Sequence, residues 1–152
     1  MDKERFIAEI EACGSMMYRV AYAILRNEED CKDALQEAVL KAWEKRASLR
    51  EKRYFRSWLT RILINTSCDI GRKRKRTVSL EAVPEQSVAP PDPALALALE
   101  ALPEKLRLPL VLCYSEGMSY EEAAQALQIP MPTLRGRIHR GKERLRKELD
   151  AE

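Results

Sequence analysis

Along most of this chain apolar residues recur every three or four positions, the period of an amphipathic helix, and the alternation of a half-buried strand is nearly absent. In the first half the pattern predicts helices near 3–13, 15–26, 28–47 and 54–75. Gly14 is expected to end the first, and Asn27 or Asp30 to cap the third, whose first turn carries acids. In the third helix Cys31, Leu35, Val39 and Ala42 share one face; in the fourth Phe55, Trp58, Leu59, Ile62, Thr66 and Ile70 do so. Those faces should meet in a compact bundle.

The second half opens near Ala94 and predicts four more helices. One spans 103–115, with Pro103 in its first turn, where a missing N–H costs nothing, and Gly117 beyond its end. Ser119 and Glu122 are spaced as a capping box for a helix over Tyr120–Leu127. A break at Gln128-Ile129-Pro130 leads to a densely basic helix from about Thr133 to Leu149, with Ile138 and Leu145 facing inward. Two helices joined by a short turn, the second loaded with arginine, outline a helix-turn-helix whose second helix lies in the major groove of DNA. Residues 77–93, TVSLEAVPEQSVAPPDP, contain four of the eight prolines and no basic residue, a composition that favours an extended spacer. The expected architecture is therefore all-α: two small helical domains, 1–76 and 94–152, joined by a Pro-rich linker over 77–93.

Charge sharpens this picture. The formal net charge is only +3, but residues 1–76 hold 18 Lys/Arg against 12 Asp/Glu. One basic patch is Gly71-Arg72-Lys73-Arg74-Lys75-Arg76 and the other is the last helix. Clustered Lys/Arg of this kind is the footprint of a polyanion partner. No run of apolar residues is long enough to span a bilayer, and the start, MDKERFIAEIEACG, has no signal-peptide core, so a cytoplasmic protein is expected. Cysteines at 13, 31, 68 and 113 form no Cys-x-x-Cys pair and the chain has one histidine, His139. That spacing argues against a zinc site or a disulfide framework, and neither metal nor cofactor is expected. Without a Gly-rich phosphate loop or a nucleophile–base constellation, no catalytic residue is assigned.

Two series of residues resemble one family. The first is Asp33-Ala34-Leu35-Gln36-Glu37, Leu40-Lys41-Ala42-Trp43, Phe55-Arg56-Ser57-Trp58-Leu59, Ile62, Asn65, Asp69 and Arg72. The second is Leu102-Pro103-Glu104-Lys105, Tyr120-Glu121-Glu122-Ala123-Ala124, Leu127, Ile129-Pro130, Thr133-Leu134, Arg137, His139-Arg140 and Leu145. In this order, around a Pro-rich linker, they resemble bacterial RNA polymerase sigma factors of the extracytoplasmic-function (ECF) group. The resemblance covers nearly the whole chain. It implies a non-catalytic protein whose region 2 binds core RNA polymerase and melts the promoter −10 element, and whose region 4 reads the −35 element. The implied partners are core RNA polymerase, promoter DNA and, as often in the family, an anti-sigma factor.

Carried onto this sequence, the resemblance implies a core-polymerase contact through Asp33, Gln36, Glu37 and Leu40, which share a helix face opposite Leu35 and Val39. It implies −10 contacts from Arg50, Lys52, Arg53, Tyr54, Arg56, Arg61, Asn65 and Arg72. Arginines beside aromatics suit melted DNA, since cations hold phosphates and rings stack exposed bases. Phe55 and Trp58 are expected in the core, and Asp69 either reads DNA or holds an internal arginine. The implied −35 contacts are Thr133, Arg135, Gly136, Arg137, His139, Arg140 and Lys142, with Arg137 and Arg140 turned to the bases and Arg135 and Lys142 nearer phosphates. The chain departs from the family's pattern at Gln128 and Pro132, where glycine is usual, and at Gly136, where serine is common. Gln128 is expected to take a left-handed conformation, and Gly136 to admit a close backbone approach to DNA.

Two other classes compete with this reading. A sigma-like decoy that binds only an anti-sigma factor should lose its basic faces, and both are present. A conventional dimeric helix-turn-helix regulator needs a dimerisation element, and no heptad run occurs.

Overall fold

The computed structural model describes residues 1–77 and 93–150, and side chains of 1–75 and 94–150. All but the ends of the predicted linker lies outside the described residues. The described residues are helical, without a strand, and the chain divides into two compact units, Met1–Glu85 and Gln86–Glu152.

In the first unit, α1 (Lys3–Ala12) starts at Asp2, whose carboxylate accepts from Arg5 N at 2.8 Å. α2 (Gly14–Leu25) follows Cys13 directly, so Gly14 begins the second helix and does not close the first. α2 ends at Arg26, left-handed at φ 53°. Asn27 then caps α3 (Glu28–Glu44), accepting from Asp30 N at 2.8 Å, above a first turn of Glu28, Glu29 and Asp30 that suits the helix dipole. Two short 3₁₀ turns, Arg46–Ser48 and Lys52–Tyr54, lead into α4 (Phe55–Thr77). The expected helix over 28–47 thus stops three residues early.

α2, α3 and α4 pack against one another around Met17, Val20, Ala21, Leu59 and Leu63. The buried stripe of α3 is Cys31, Ala34, Ala38 and Ala42. Leu35 and Val39, expected to face inward, are only half-buried. The reason is distance: alanines let α3 lie close to its neighbours, and the larger residues flank the seam. α4 buries Phe55, Leu59, Thr60, Leu63, Ile64, Thr66 and Ser67, while Trp58, Ile62 and Ile70, also expected inside, are half-buried. Phe6 fixes α1 to this core, edge-on to Trp43 at 5.1 Å and to Phe55 at 6.1 Å between ring centroids.

The second unit contains α5 (Pro93–Glu100), α6 (Glu104–Leu110), α7 (Tyr120–Leu127) and α8 (Met131–Asp150). The helix expected over 103–115 is not uniform. Pro109 lies inside it, and past Leu110 the chain widens into a π-helical turn, Val111–Ser115, closed by Glu116 N donating to Val111 O at 3.0 Å. Pro109 supplies no N–H to the turn before it, and the widened turn follows directly after. Gly117, at φ 70°, turns the chain into α7. There Ser119 Oγ accepts from Glu122 N, and Glu122 accepts from Ser119 N, both at 3.0 Å: the capping box legible in the sequence. α8 packs on α5, α6 and α7 through Leu134, Ile138 and Gly141; Leu145, expected inside, is half-buried.

Candidate nucleic-acid and polymerase interfaces

The turn between α7 and α8 sets the last helix. Gln128 is left-handed, φ 58° and ψ 47°, as expected at a position where glycine is easier to accommodate. Ile129 N donates to Ala124 O at 3.1 Å, satisfying a carbonyl at the end of α7. α8 begins at Met131, two residues before the expected start, because Pro132 fits a first helical turn. With Leu134, Ile138 and Gly141 buried, the opposite side is left to polar residues. Arg135, His139, Arg140 and Lys142 are exposed; Thr133, Gly136 and Arg137 are half-buried. Thr133, Gly136, Arg137 and Arg140 share one face, while Arg135 and Lys142 lie on another.

Two details change the picture of this helix. The space a Cβ on Gly136 would enter is occupied by the head of Arg140, whose guanidinium nitrogen would lie 3.2 Å from it. Gly136 therefore makes room for its own helix's arginine. Lys142 lies over the Tyr114 ring, 4.8 Å from its centroid, and the Tyr114 and Tyr120 hydroxyls are 3.4 Å apart. The Lys142 hydrogen bond holds the exposed Tyr114 phenol below its ordinary pKa, and the neighbouring Tyr120 is raised by its bond to Tyr114. The sequence signal for this trio was weak, since Tyr114 is brought to Lys142 by the π-helical turn.

In the first unit the structure places Asp33, Gln36, Glu37 and Leu40 together on the exposed side of α3, and Leu40 is 64% exposed. An exposed leucine rimmed by carboxylates has the make-up of a protein contact. Lys41, to which the sequence assigns no contact, braces this face: its ammonium lies 3.2 Å from Glu37 Oε2 and 3.4 Å from the Thr66 hydroxyl on α4. The i,i+4 spacing of Glu37 and Lys41 was its available signal.

The connection between α3 and α4 is internally tied. The Arg46 guanidinium covers the Trp43 ring at 3.6 Å and donates to Trp43 O at 2.7 Å. Trp58 Nε1 donates to Ser48 Oγ at 3.2 Å, and Ser48 Oγ donates to Lys45 O at 2.7 Å. Arg50, Lys52 and Arg53 are exposed, and Tyr54 and Arg56 are half-buried. Arg53 pairs with Glu51 at 2.7 Å and lies 4.8 Å over the Tyr54 ring. Trp43, Arg46, Ser48 and Trp58 were not recognised as one assembly, since the contacts span two helices and a turn.

Further along α4, Arg61, Asn65 and Arg72 are exposed and recur at helical spacing on one face. Asp69 pairs with Arg72 one turn along the same helix. The result is a polar and basic face on α4 over a buried apolar one, in a unit separate from α8.

Comparison with known proteins gives this geometry a family. The family model of sigma-70 region 2 matches residues 10–77, and that of sigma-70 region 4 matches residues 93–145. The ECF RNA polymerase sigma factor SigW of Bacillus subtilis is 31% identical, over 97% of this chain and 90% of its own length. SigE of Mycolicibacterium smegmatis, also an ECF RNA polymerase sigma factor, is 34% identical over 86% of this chain, which spans 56% of that relative's length. Among solved structures, the sigma factor RpoE in complex with the anti-sigma factor NepR from Bartonella quintana shares the fold, with a TM-score of 0.81, 24% identity and 99% of both chains covered. CnrH in complex with the cytosolic domain of CnrY has a TM-score of 0.76 at 27% identity, covering 99% of this chain and 91% of that one. These two regions in one helical chain define a sigma-70 type transcription initiation factor. The chain belongs to the ECF group of RNA polymerase sigma factors.

Proposed function

We propose that this protein is an alternative sigma factor that joins core RNA polymerase in the cytoplasm and directs it to a specific set of promoters. It lends sequence choice to an enzyme and performs no chemistry itself. The observation that carries the reading is the pairing of family membership with two exposed helix faces, on α4 and on α8, each polar and basic over a buried apolar side. On this reading residues 1–76 form the polymerase-binding and −10 domain, 77–93 the linker, and 94–152 the −35 domain.

The α3 face of Asp33, Gln36, Glu37 and Leu40 meets the polymerase, with Leu40 as the apolar anchor. Arg50, Lys52, Arg53, Tyr54 and Arg56, at and beside the α3–α4 connection, engage the melted −10 strand. Arg61, Asn65 and Arg72 contact the same element from α4. In the second unit Arg137 and Arg140 reach base edges, where a bidentate arginine–guanine pair discriminates by about 1–3 kcal/mol. Thr133, Arg135, Gly136, His139 and Lys142 complete the −35 surface, the cations chiefly through phosphates, which add affinity but no sequence choice. One solved relative, RpoE, is held by the anti-sigma factor NepR, which supports an anti-sigma partner for this chain too.

The test is transcription in vitro from fragmented host genomic DNA by core polymerase, with and without the protein. Discrete start sites that require the protein are expected. Core binding without any start site, on any fragment, would reject autonomous sigma activity, and loss of core binding as well would favour the decoy or the conventional regulator.

A further inference from the structure

The run Gly71-Arg72-Lys73-Arg74-Lys75-Arg76 reads as one basic patch, and the structure divides it. Arg72 is exposed on the same face of α4 as Arg61 and Asn65. Arg74 comes two residues later, about 200° around the helix, and turns to the opposite side. There its guanidinium lies 3.1 Å from Asp30 Oδ2 in the first turn of α3, with the two side chains 32% and 19% exposed. Asp30 Oδ2 is itself buried and has no hydrogen bond of good geometry, so what compensates it there is the charge of Arg74. A buried carboxylate oxygen of this kind is costly to leave without its counter-charge.

The pair sits at a meeting of three helices. The backbone N–H of Asp30 is held by the Asn27 cap at 2.8 Å. One turn before Arg74, Gly71 approaches α2: a Cβ there would lie 3.4 Å from Leu25 Cδ2. Arg26, left-handed at φ 53°, sets the chain between α2 and α3 at the same corner. The last turns of α4 extend beyond its buried apolar seam, and the Arg74–Asp30 pair links them to α3.

We propose that Arg74 is a positioning residue, not a DNA ligand: its ion pair with Asp30 fixes the basic end of α4 so that Arg72, Asn65 and Arg61 present one face to the −10 duplex. This rests on the sigma-factor reading above. It reverses the expected sign of one substitution. Asp30→Asn removes a negative charge from a DNA-binding unit, which by charge alone would tighten binding. Through loss of the pair it should instead weaken it.

The experiment uses holoenzyme assembled from core polymerase and the full chain, and as probe a duplex promoter fragment selected by the transcription assay. Dissociation constants are measured across a range of KCl for wild type, Arg74→Ala and Asp30→Asn. Both variants should bind the fragment more weakly by about fivefold, the scale of a partly exposed ion pair. Both should keep the wild-type slope of log K against log[salt] and the wild-type affinity for core polymerase. A slope smaller by about 0.9 for Arg74→Ala would make Arg74 a phosphate ligand and overturn the proposal. Wild-type or tighter binding by Asp30→Asn would overturn it equally. Should Arg74→Ala fail to fold, the nearly isosteric Asp30→Asn carries the test alone. If wild-type holoenzyme binds no fragment, it is the sigma-factor reading that falls.

Discussion

Gly136 and Gly141 lie five residues apart on α8, and replacing each by alanine should change stability in opposite directions. In an exposed helix interior the exchange gains about 0.8–1 kcal/mol, because alanine loses less backbone freedom on folding. At Gly136 the new Cβ meets only the far end of Arg140, at 3.2 Å, and a guanidinium can swing into solvent. Most of the gain should survive. At Gly141 the Cβ would lie 3.1 Å from Leu110 Cδ1 and 3.2 Å from the backbone oxygen of Leu106, where α8 crosses α6. A main-chain carbonyl within a helix cannot step aside, and overpacking costs about 1–3 kcal/mol. Gly141→Ala should therefore be destabilising by roughly 1 kcal/mol, and the two variants should differ by about 2 kcal/mol. Native-state hydrogen exchange of the slowest α8 amides reads this for the second unit alone, and far-UV circular dichroism melting gives the same ranking. A Gly141→Ala protein as stable as wild type would refute the close crossing. A destabilised Gly136→Ala protein would mean that Arg140 is pinned where it lies.

Other consequences can be checked separately. The Arg137→Ala/Arg140→Ala protein should bind core polymerase normally and lose −35-dependent initiation; unchanged promoter selectivity would remove α8 as the reading helix. Asp33→Ala/Gln36→Ala should weaken core binding, and wild-type affinity in a pull-down titration would take that face out of the interface. Trp58→Phe keeps an aromatic ring, though a smaller one, and loses the hydrogen bond to Ser48, so it should cost about 1 kcal/mol and lower affinity for a single-stranded −10 oligonucleotide; unaltered binding would show that the tie is incidental. Burial pushes the fully buried Cys31 thiol up to about 11 from an ordinary 9.0. The unfolded chain therefore releases that proton first, and the first unit should lose stability as pH rises from about 9 to 11, by no more than about 2–3 kcal/mol; a Cys31→Ala protein with the same alkaline loss would place its cause elsewhere.

Helix order, the Ser119–Glu122 capping box and the choice of Asn27 or Asp30 as a cap were legible in the sequence, because each depends on nearby residues, while the left-handed Gln128 was legible through the family's glycine at that position. The buried face of α3 was misjudged for a definite reason. Ranking positions by apolar size favours Leu35 and Val39, whereas a close helix crossing selects Ala34, Ala38 and Ala42. Gly141 escaped notice for the same cause, since its importance lies in what its absence of a side chain lets approach. The buried and exposed sides of α4 and α8 could be told apart by periodicity except at their margins, where Trp58, Ile62, Ile70 and Leu145 are half-buried. What periodicity could not show was which arginines have partners: Arg74 and Arg72 look alike in the sequence, and only the fold brings Asp30 to one of them.

The two tryptophans of the chain, Trp43 and Trp58, both belong to the first unit and stand at either end of the α3–α4 connection. One indole lies under a guanidinium at 3.6 Å and the other has its N–H tied to Ser48. Each environment would change if the connection opened around an unstacked base. The protein thus carries an intrinsic optical probe at the place where strand capture is proposed, with no such chromophore in the second unit. Its emission on addition of single-stranded DNA follows that loop without a label, while duplex bound only at α8 leaves the signal unchanged.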